Sequence, residues 1–157
     1  ALGLSNFKMD KIQEILDIAE IEPQLLTVES HPYYVQKDLR KFLEPHHIII
    51  EAWYPLGHGD HAMLEEPVFV KLAEKYGKSP AQIILKWHIQ YGTSVIPGSK
   101  NPEHIKDNND LYDFTLTDEE MKEIDALDCG KHYYTQTQEL LDKYASIAPN
   151  FNGQADR

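Results

Sequence analysis

Residues 47–54 read HIIIEAWY, a short and largely apolar run that is followed at once by a proline. A run of this length without regular polar alternation is typical of a parallel strand that is buried on both faces. Two further stretches read in the same way as strands, "QLLTVES" at 24–30 and "TSVIPG" at 93–98, and residues 1–4 are apolar or glycine. The sequence therefore predicts four strands, each separated from the next by enough chain for a helix.

Helical patterns fill the segments between and after these strands. Apolar residues recur at helical spacing in the first segment, at Ile12, Ile15, Leu16, Ile18 and Ala19. Capping residues mark the starts of later helices, at Ser79 with Pro80, Asn101 with Pro102, and Thr117 with Glu120. The predicted helices cover 10–20, 35–44, 67–77, 80–92, a short segment from 102, 118–128 and about 138–145, whereas 55–66 is predicted to be a loop.

The alternation of strands and helices predicts an α/β fold with a parallel sheet and right-handed crossovers. Four such units without a glycine-rich dinucleotide fingerprint favour part of a (β/α)₈ barrel over a Rossmann sheet. A whole barrel needs about 250 residues, and this chain has 157. We therefore expect one domain over 1–157, made of about four βα units and an additional C-terminal helix and loop.

Composition narrows the classes of partner. The net charge is -11, and an acidic surface repels phosphate backbones, so no nucleic-acid partner is expected. Nothing approaches the roughly 20 apolar residues of a membrane span, and no leader is visible. A single cysteine, Cys129, fits a reducing compartment, so a cytoplasmic location is expected.

Five motifs resemble those of the aldo/keto reductase family, in the family's order: "GLSNF" (3–7), "ESHPYY" (29–34), "EAWYPLG" (51–57), "SPAQIILKW" (79–87) and "VIPGSKNPEHIKDN" (95–108). The resemblance implies the second half of a TIM barrel, strands five to eight. It also implies an NAD(P)H-dependent oxidoreductase that reduces aldehydes or ketones to alcohols. The family's catalytic Asp, Tyr, Lys and His belong to the first half, so no catalytic residue is assigned to this chain.

The resemblance assigns the nicotinamide end of a cofactor site to the strand ends. Ser5 and Asn6 match the pair that binds the carboxamide, and Trp53 matches the aromatic residue that stacks on the nicotinamide ring. Thr27 stands where the family usually has a Gln. Pro55, Leu56 and Gly57 match the loop that passes the pyrophosphate. Without the resemblance, Ser5 and Asn6 would be interpreted as a helix cap, and Trp53 as a core residue.

The adenosine end is assigned to the loop and helix after the fourth strand. Ser99 matches a residue at the 2′-phosphate, and Asn108 matches one that contacts adenine. The family usually has a Lys where Gly98 stands, and often an Arg at His104; Lys100 and His104 remain as the local cations. NADPH is therefore the expected cofactor, while NADH stays open.

The stretch from about 129 to 157 falls at the family's substrate loop, where Tyr133, Tyr134 and Phe151 are candidates to line a pocket for a small carbonyl substrate. A loosely packed tail is the alternative. "HGDH" at 58–61 contains metal-ligand residue types, but its spacing matches no standard site, so a solvated loop and no metal are expected.

A half barrel leaves two open sheet edges, which invite pairing with another chain. We therefore expect the chain to be a fragment of a longer protein, or to be completed by a separate first half or by a second copy of itself. Two function classes follow: the cofactor-binding half of a reductase, or a non-catalytic module that binds a nucleotide or a protein.

Overall fold

The computed structural model describes residues 1–147. Its centre is a sheet of four parallel strands: β1 (Gly3–Ser5), β2 (Leu25–Glu29), β3 (Ile49–Trp53) and β4 (Ser94–Val95). The order in the sheet is β1-β2-β3-β4, so each strand pairs with the next one along the chain. This confirms the predicted α/β fold with a four-stranded parallel sheet. The predicted pocket residue Phe151 lies outside the described residues.

The helices are α1 (Met9–Leu16), α2 (Lys37–Leu43), α3 (His61–Leu64), α4 (Pro67–Tyr76), α5 (Pro80–Gln90), α6 (Pro102–Asn109), α7 (Asp118–Asp125) and α8 (Gln138–Ala145). The predicted caps at Ser79, Asn101 and Thr117 are confirmed, because each side chain accepts a backbone N–H of the helix that it begins. Within residues 1–147, no helix is long and apolar enough to cross a membrane.

The first two helices are shorter than their patterns predict. Helix α1 ends at Leu16, and a tighter turn follows in which the Ile18 N–H donates to the Ile15 carbonyl. Ile18, which the spacing placed within the helix, lies beyond its end and is 83% exposed. Helix α2 begins only at Lys37, because Gln36 has a φ of 64° and left-handed backbone cannot lie within a right-handed helix.

Two predictions around the later strands were also wrong. Pro97 has no N–H to donate to the ladder, and β4 accordingly ends at Val95 instead of running to residue 98. The predicted loop 55–66 contains a 3₁₀ turn, Gly57–Gly59, and the short helix α3. Asp60 starts α3 by accepting the Ala62 N–H over 3.1 Å.

The two faces of the sheet differ in burial. Alternate residues point to opposite faces. One set is buried: Leu26, Val28 and Ile50 pack against α1 and α2, and Ala52 is fully buried. On the other face, Thr27, Glu51 and Trp53 are half-buried, and Ile49 is 50% exposed. Helices therefore cover one face. The other face, hereafter the open face, is covered only in part by the described residues.

Candidate functional site

The residues predicted for the nicotinamide end lie at the carboxyl ends of β1 and β3. In a parallel sheet these ends share one edge, so the residues come close together. The indole Nε1 of Trp53 donates a hydrogen bond to Oδ1 of Asn6 over 3.0 Å. The backbone N–H of Asn6 donates to the carbonyl of Thr27 over 2.9 Å. The structure thus brings Asn6 and Trp53 together although 47 residues separate them in sequence.

Asn6 has a φ of 57°, in the left-handed region that Asn tolerates better than most residues. This conformation ends β1 and turns the chain toward α1. Ser5 precedes it as the last residue of β1 and is exposed. Since the Asn6 oxygen accepts from Trp53, the amide NH₂ is the group of Asn6 that would donate to a ligand.

A row of polar side chains crosses the open face one layer below Trp53. The register aligns Ser5 with Thr27, Thr27 with Glu51, and Glu51 with Ser94. The Thr27 hydroxyl donates to the Glu51 carboxylate over 3.0 Å, and the Ser94 hydroxyl lies 3.5 Å from the other oxygen. The Thr27 hydroxyl proton is therefore engaged by Glu51 and cannot be donated to a ligand. The sequence did not predict this pairing.

A hydrogen bond from a side chain of α5 holds the loop Pro55–Gly57 in place. His88, fully buried in α5, donates from Nε2 to the Pro55 carbonyl, 3.3 Å away. Burial lowers the pKa of His88 to about 3, so the ring is neutral at neutral pH and can donate from only one nitrogen. Gly57 has a φ of 70°, and a Cβ there would lie 2.6 Å from the Met63 Cε. The left-handed backbone favours glycine at this position, and a Cβ there would force the end of the Met63 side chain to move.

The four residues predicted for the adenosine end lie apart from these groups. Ser99 is half-buried before α6 and accepts the Asn101 N–H over 3.1 Å, whereas Lys100 and His104 are exposed. Asn108 is half-buried near the end of α6. Between residues 1 and 147, no hydrogen bond joins this group to Asn6 or Trp53.

A segment after α7, residues 130–137, crosses the carboxyl edge of the sheet, and we call it the C-terminal strap. The Glu29 carboxylate, 4% exposed, accepts the backbone N–H groups of Tyr133 and Tyr134 over 2.6 and 2.9 Å. The ring of Tyr134 packs edge-on against Trp53, with centroids 5.2 Å apart. The alternative of a loosely packed tail therefore fails for the strap.

The Asp60 carboxylate binds two side chains of the strap. Its carboxylate accepts from the Lys131 ammonium and from the Tyr133 hydroxyl, each over 2.6 Å. These two donors, Lys131 first, lower the pKa of Asp60 to about 2. The predicted solvated loop at 58–61 is thus wrong for Asp60. No three His, Cys, Asp or Glu side chains of the described part of the chain come together as metal ligands.

A cleft of about 1000 Å³ lies beside the strap, between the starts of α1 and α2. Of the predicted cofactor residues, only Asn6 lines it; Tyr134, Gln36 and Val28 are among its other walls. Val28 points to the helix-covered face. Thr27 and Trp53 do not line the cleft, so it is separate from the part of the open face that carries them.

The groups at Asn6 and Trp53 fit a nicotinamide ring with its carboxamide. An amide NH₂ and the Ser5 hydroxyl are suitable partners for the carboxamide, and a half-buried flat ring suits the face of another flat ring. Ser5, Asn6 and Trp53 are residues that the sequence predicts for the site, whereas Glu29, His88 and Glu51 are not. The signal for Glu29 was a carboxylate at the carboxyl end of a buried strand.

Comparisons with known proteins agree with the fold. The model of the Aldo/keto reductase family matches residues 1–129. Aldo-keto reductase family 1 member A1 of Bos taurus is 44% identical over 135 residues, which are 81% of this chain and 42% of that protein. The chain thus spans less than half the length of this relative.

Solved structures give the same result. The aldo-keto reductase MGS-M4, from a Medee basin deep-sea metagenome library, is 33% identical with a TM-score of 0.84, over 88% of this chain and 51% of that one. A mutant of Gox0644 in complex with NADPH is 36% identical with a TM-score of 0.78, over 83% and 48% of the two chains. The chain belongs to the aldo/keto reductase family.

Proposed function

We propose that this chain is the cofactor-binding half of an NADPH-dependent reductase of aldehydes and ketones. The observation that carries the proposal is the hydrogen bond from Trp53 to Asn6 beside Ser5, at the carboxyl edge of the open sheet face. A relative of similar fold, the Gox0644 mutant, is known in complex with NADPH. Bound NADPH supplies the hydride for such a reduction.

Each residue at the nicotinamide end has a distinct task. Trp53 offers a ring face whose orientation is fixed by its bond to Asn6. The amide NH₂ of Asn6 donates to the carboxamide oxygen, and the Ser5 hydroxyl meets the carboxamide nitrogen. Thr27, whose proton is donated to Glu51, contributes only hydroxyl lone pairs. Together these residues orient a ring and leave one of its faces for the substrate.

The adenosine end consists of Ser99, Lys100, His104 and Asn108. A hydroxyl and an ammonium group next to each other suit a phosphate, which favours NADPH over NADH. Pro55, Leu56 and Gly57, held by His88, form the loop that passes between the two ends. The strap lies over the carboxyl edge, where Tyr134 borders the space for a small carbonyl substrate.

We further propose that the chain is the second half of the family's barrel. Three observations support this: the order of the motifs, the coverage of about half of each relative, and a sheet whose open face still exposes Ile49 and Ile96, at 50% and 55%. A first half, in the same polypeptide or a separate one, would cover that face and supply the catalytic Asp, Tyr, Lys and His.

The test is a reductase assay by complementation. The purified chain is mixed with the amino-terminal half of a relative, and carbonyl-dependent loss of NADPH absorbance is followed. We expect activity with both halves and none with either half alone. Binding of NADPH without activity in the mixture would instead favour a non-catalytic nucleotide-binding module.

A further inference from the structure

Glu29 and Trp53 are neighbours on the open face. They are register partners at the ends of β2 and β3, so their side chains leave the sheet next to each other. The Ser30 N–H also donates to the Trp53 carbonyl over 3.4 Å. Any group that is fixed on the Glu29 carboxylate is therefore held beside the Trp53 ring.

The Glu29 carboxylate binds backbone N–H groups of the strap. It receives three donors: the N–H groups of Tyr133 and Tyr134 at 2.6 and 2.9 Å, and Nε2 of His31 at 3.0 Å. Burial lowers the pKa of His31, so the ring is neutral and donates one hydrogen bond without neutralising the carboxylate. A buried carboxylate that accepts three hydrogen bonds holds the two neighbouring backbone N–H groups in one geometry.

We propose that Glu29 is a positioning residue for the cofactor site, which it serves by anchoring the strap. Its carboxylate fixes the backbone at Tyr133 and Tyr134, and thereby holds the Tyr134 ring against the edge of Trp53. The strap continues to Gln136, whose Nε2 lies 3.5 Å from the Asn6 carbonyl. The strap thus contacts both residues that orient the nicotinamide. This inference rests on the proposed function.

The test compares Glu29→Gln with the unmodified chain by amide hydrogen exchange. A glutamine has one accepting oxygen, and its NH₂ would oppose the second backbone N–H. We expect the Tyr133 and Tyr134 amides to be protected in the unmodified chain and to lose at least about tenfold protection in the variant. Glu123→Gln is the matched control, because it makes the same change at an exposed carboxylate of α7 that pairs with Lys71, and it keeps both backbone bonds to Glu29; the two strap amides stay protected.

NADPH affinity provides the second readout. A mobile Tyr134 leaves Trp53 less well oriented, so Glu29→Gln is expected to bind NADPH about fivefold more weakly, and Glu123→Gln to bind it unchanged. Fast exchange of both amides in the unmodified chain would overturn the inference, and this result does not depend on whether the variant folds. Equal NADPH affinity of a folded Glu29→Gln variant would overturn it too. Absence of NADPH binding by the unmodified chain would instead refute the proposed function.

Discussion

The Trp53 indole N–H donates to the Asn6 side-chain oxygen over 3.0 Å, and this bond joins the ends of two strands that are not neighbours in the sheet. β2 lies between them and receives the Asn6 N–H on the carbonyl of Thr27. Asn6 therefore ties β1 to both β2 and β3. It makes both contacts from a left-handed backbone conformation.

Substitutions of Asn6 separate its backbone role from its side-chain role. Asn6→Gly and Asn6→Ala both lose the bond to Trp53, so we expect the same loss of NADPH affinity in each. Alanine is also strained at a φ of 57°, so Asn6→Ala should lower the free energy of unfolding by about 1–2 kcal/mol more than Asn6→Gly. Urea unfolding with NADPH titration measures both. Equal stability of the two variants would contradict the left-handed conformation.

Two glycines in one loop form a matched pair. Gly57 and Gly59 have φ values of 70° and 82°, so alanine at either position costs about 1 kcal/mol of strain. Only at Gly57 would the added Cβ also meet Met63. Gly57→Ala should therefore lower the free energy of unfolding by roughly 1–3 kcal/mol more than Gly59→Ala. Urea unfolding of both variants checks this, and equal losses would show that the Met63 contact has no energetic weight.

Gly98 offers a test of cofactor preference. A Cβ at this position meets nothing within 4 Å, and its φ is not in the left-handed range, so a long side chain is sterically acceptable. Gly98→Lys adds a cation beside Ser99 and Lys100, which should tighten NADPH several-fold without changing NADH. Gly98→Ala is the control, expected to change neither affinity. Calorimetric titration measures the affinity of each variant for both nucleotides. An equal gain in NADH affinity would refute a 2′-phosphate site there.

Protonation of buried histidines predicts a loss of stability in mild acid. Burial lowers the pKa of His88 from 6.5 to about 3, so between these values the unfolded chain binds a proton that the folded chain does not. Stability therefore falls as the pH falls below 6.5, by up to about 1.4 kcal/mol per pH unit for this residue. His31, whose pKa is also lowered by burial, adds to the same slope.

His88→Gln tests this account, because an amide N–H can still donate to Pro55 but does not titrate. Unfolding free energies measured by urea between about pH 6.5 and pH 5, above the ordinary range of carboxyl groups, should show a shallower slope in the variant. Its remaining slope is assigned to His31. An unchanged slope would mean that His88 is not the group that takes up the proton.

The parts of the site that the sequence predicted are local. The end of β1 at Ser5 and Asn6 and the end of β3 at Trp53 lie in short motifs whose strand context is readable from apolar runs. The strap anchor is different, because Glu29 meets the Tyr133 N–H across 104 residues. Nothing in either segment alone indicates that pairing. Gln36 shows the same limit at short range, since its left-handed conformation depends on tertiary contacts such as the bond from its side chain to the Glu29 carbonyl.

The central claim is that Trp53 is the nicotinamide platform, and calorimetric titration of the chain with NADPH tests it most directly. Trp53→Ala removes the ring, and Trp53→Phe keeps a flat ring but loses the bond to Asn6. We predict one NADPH per chain for the unmodified protein, at least about tenfold weaker binding for Trp53→Ala, and an intermediate loss for Trp53→Phe. Equal affinity in all three proteins, or no binding by the unmodified chain, would contradict the claim.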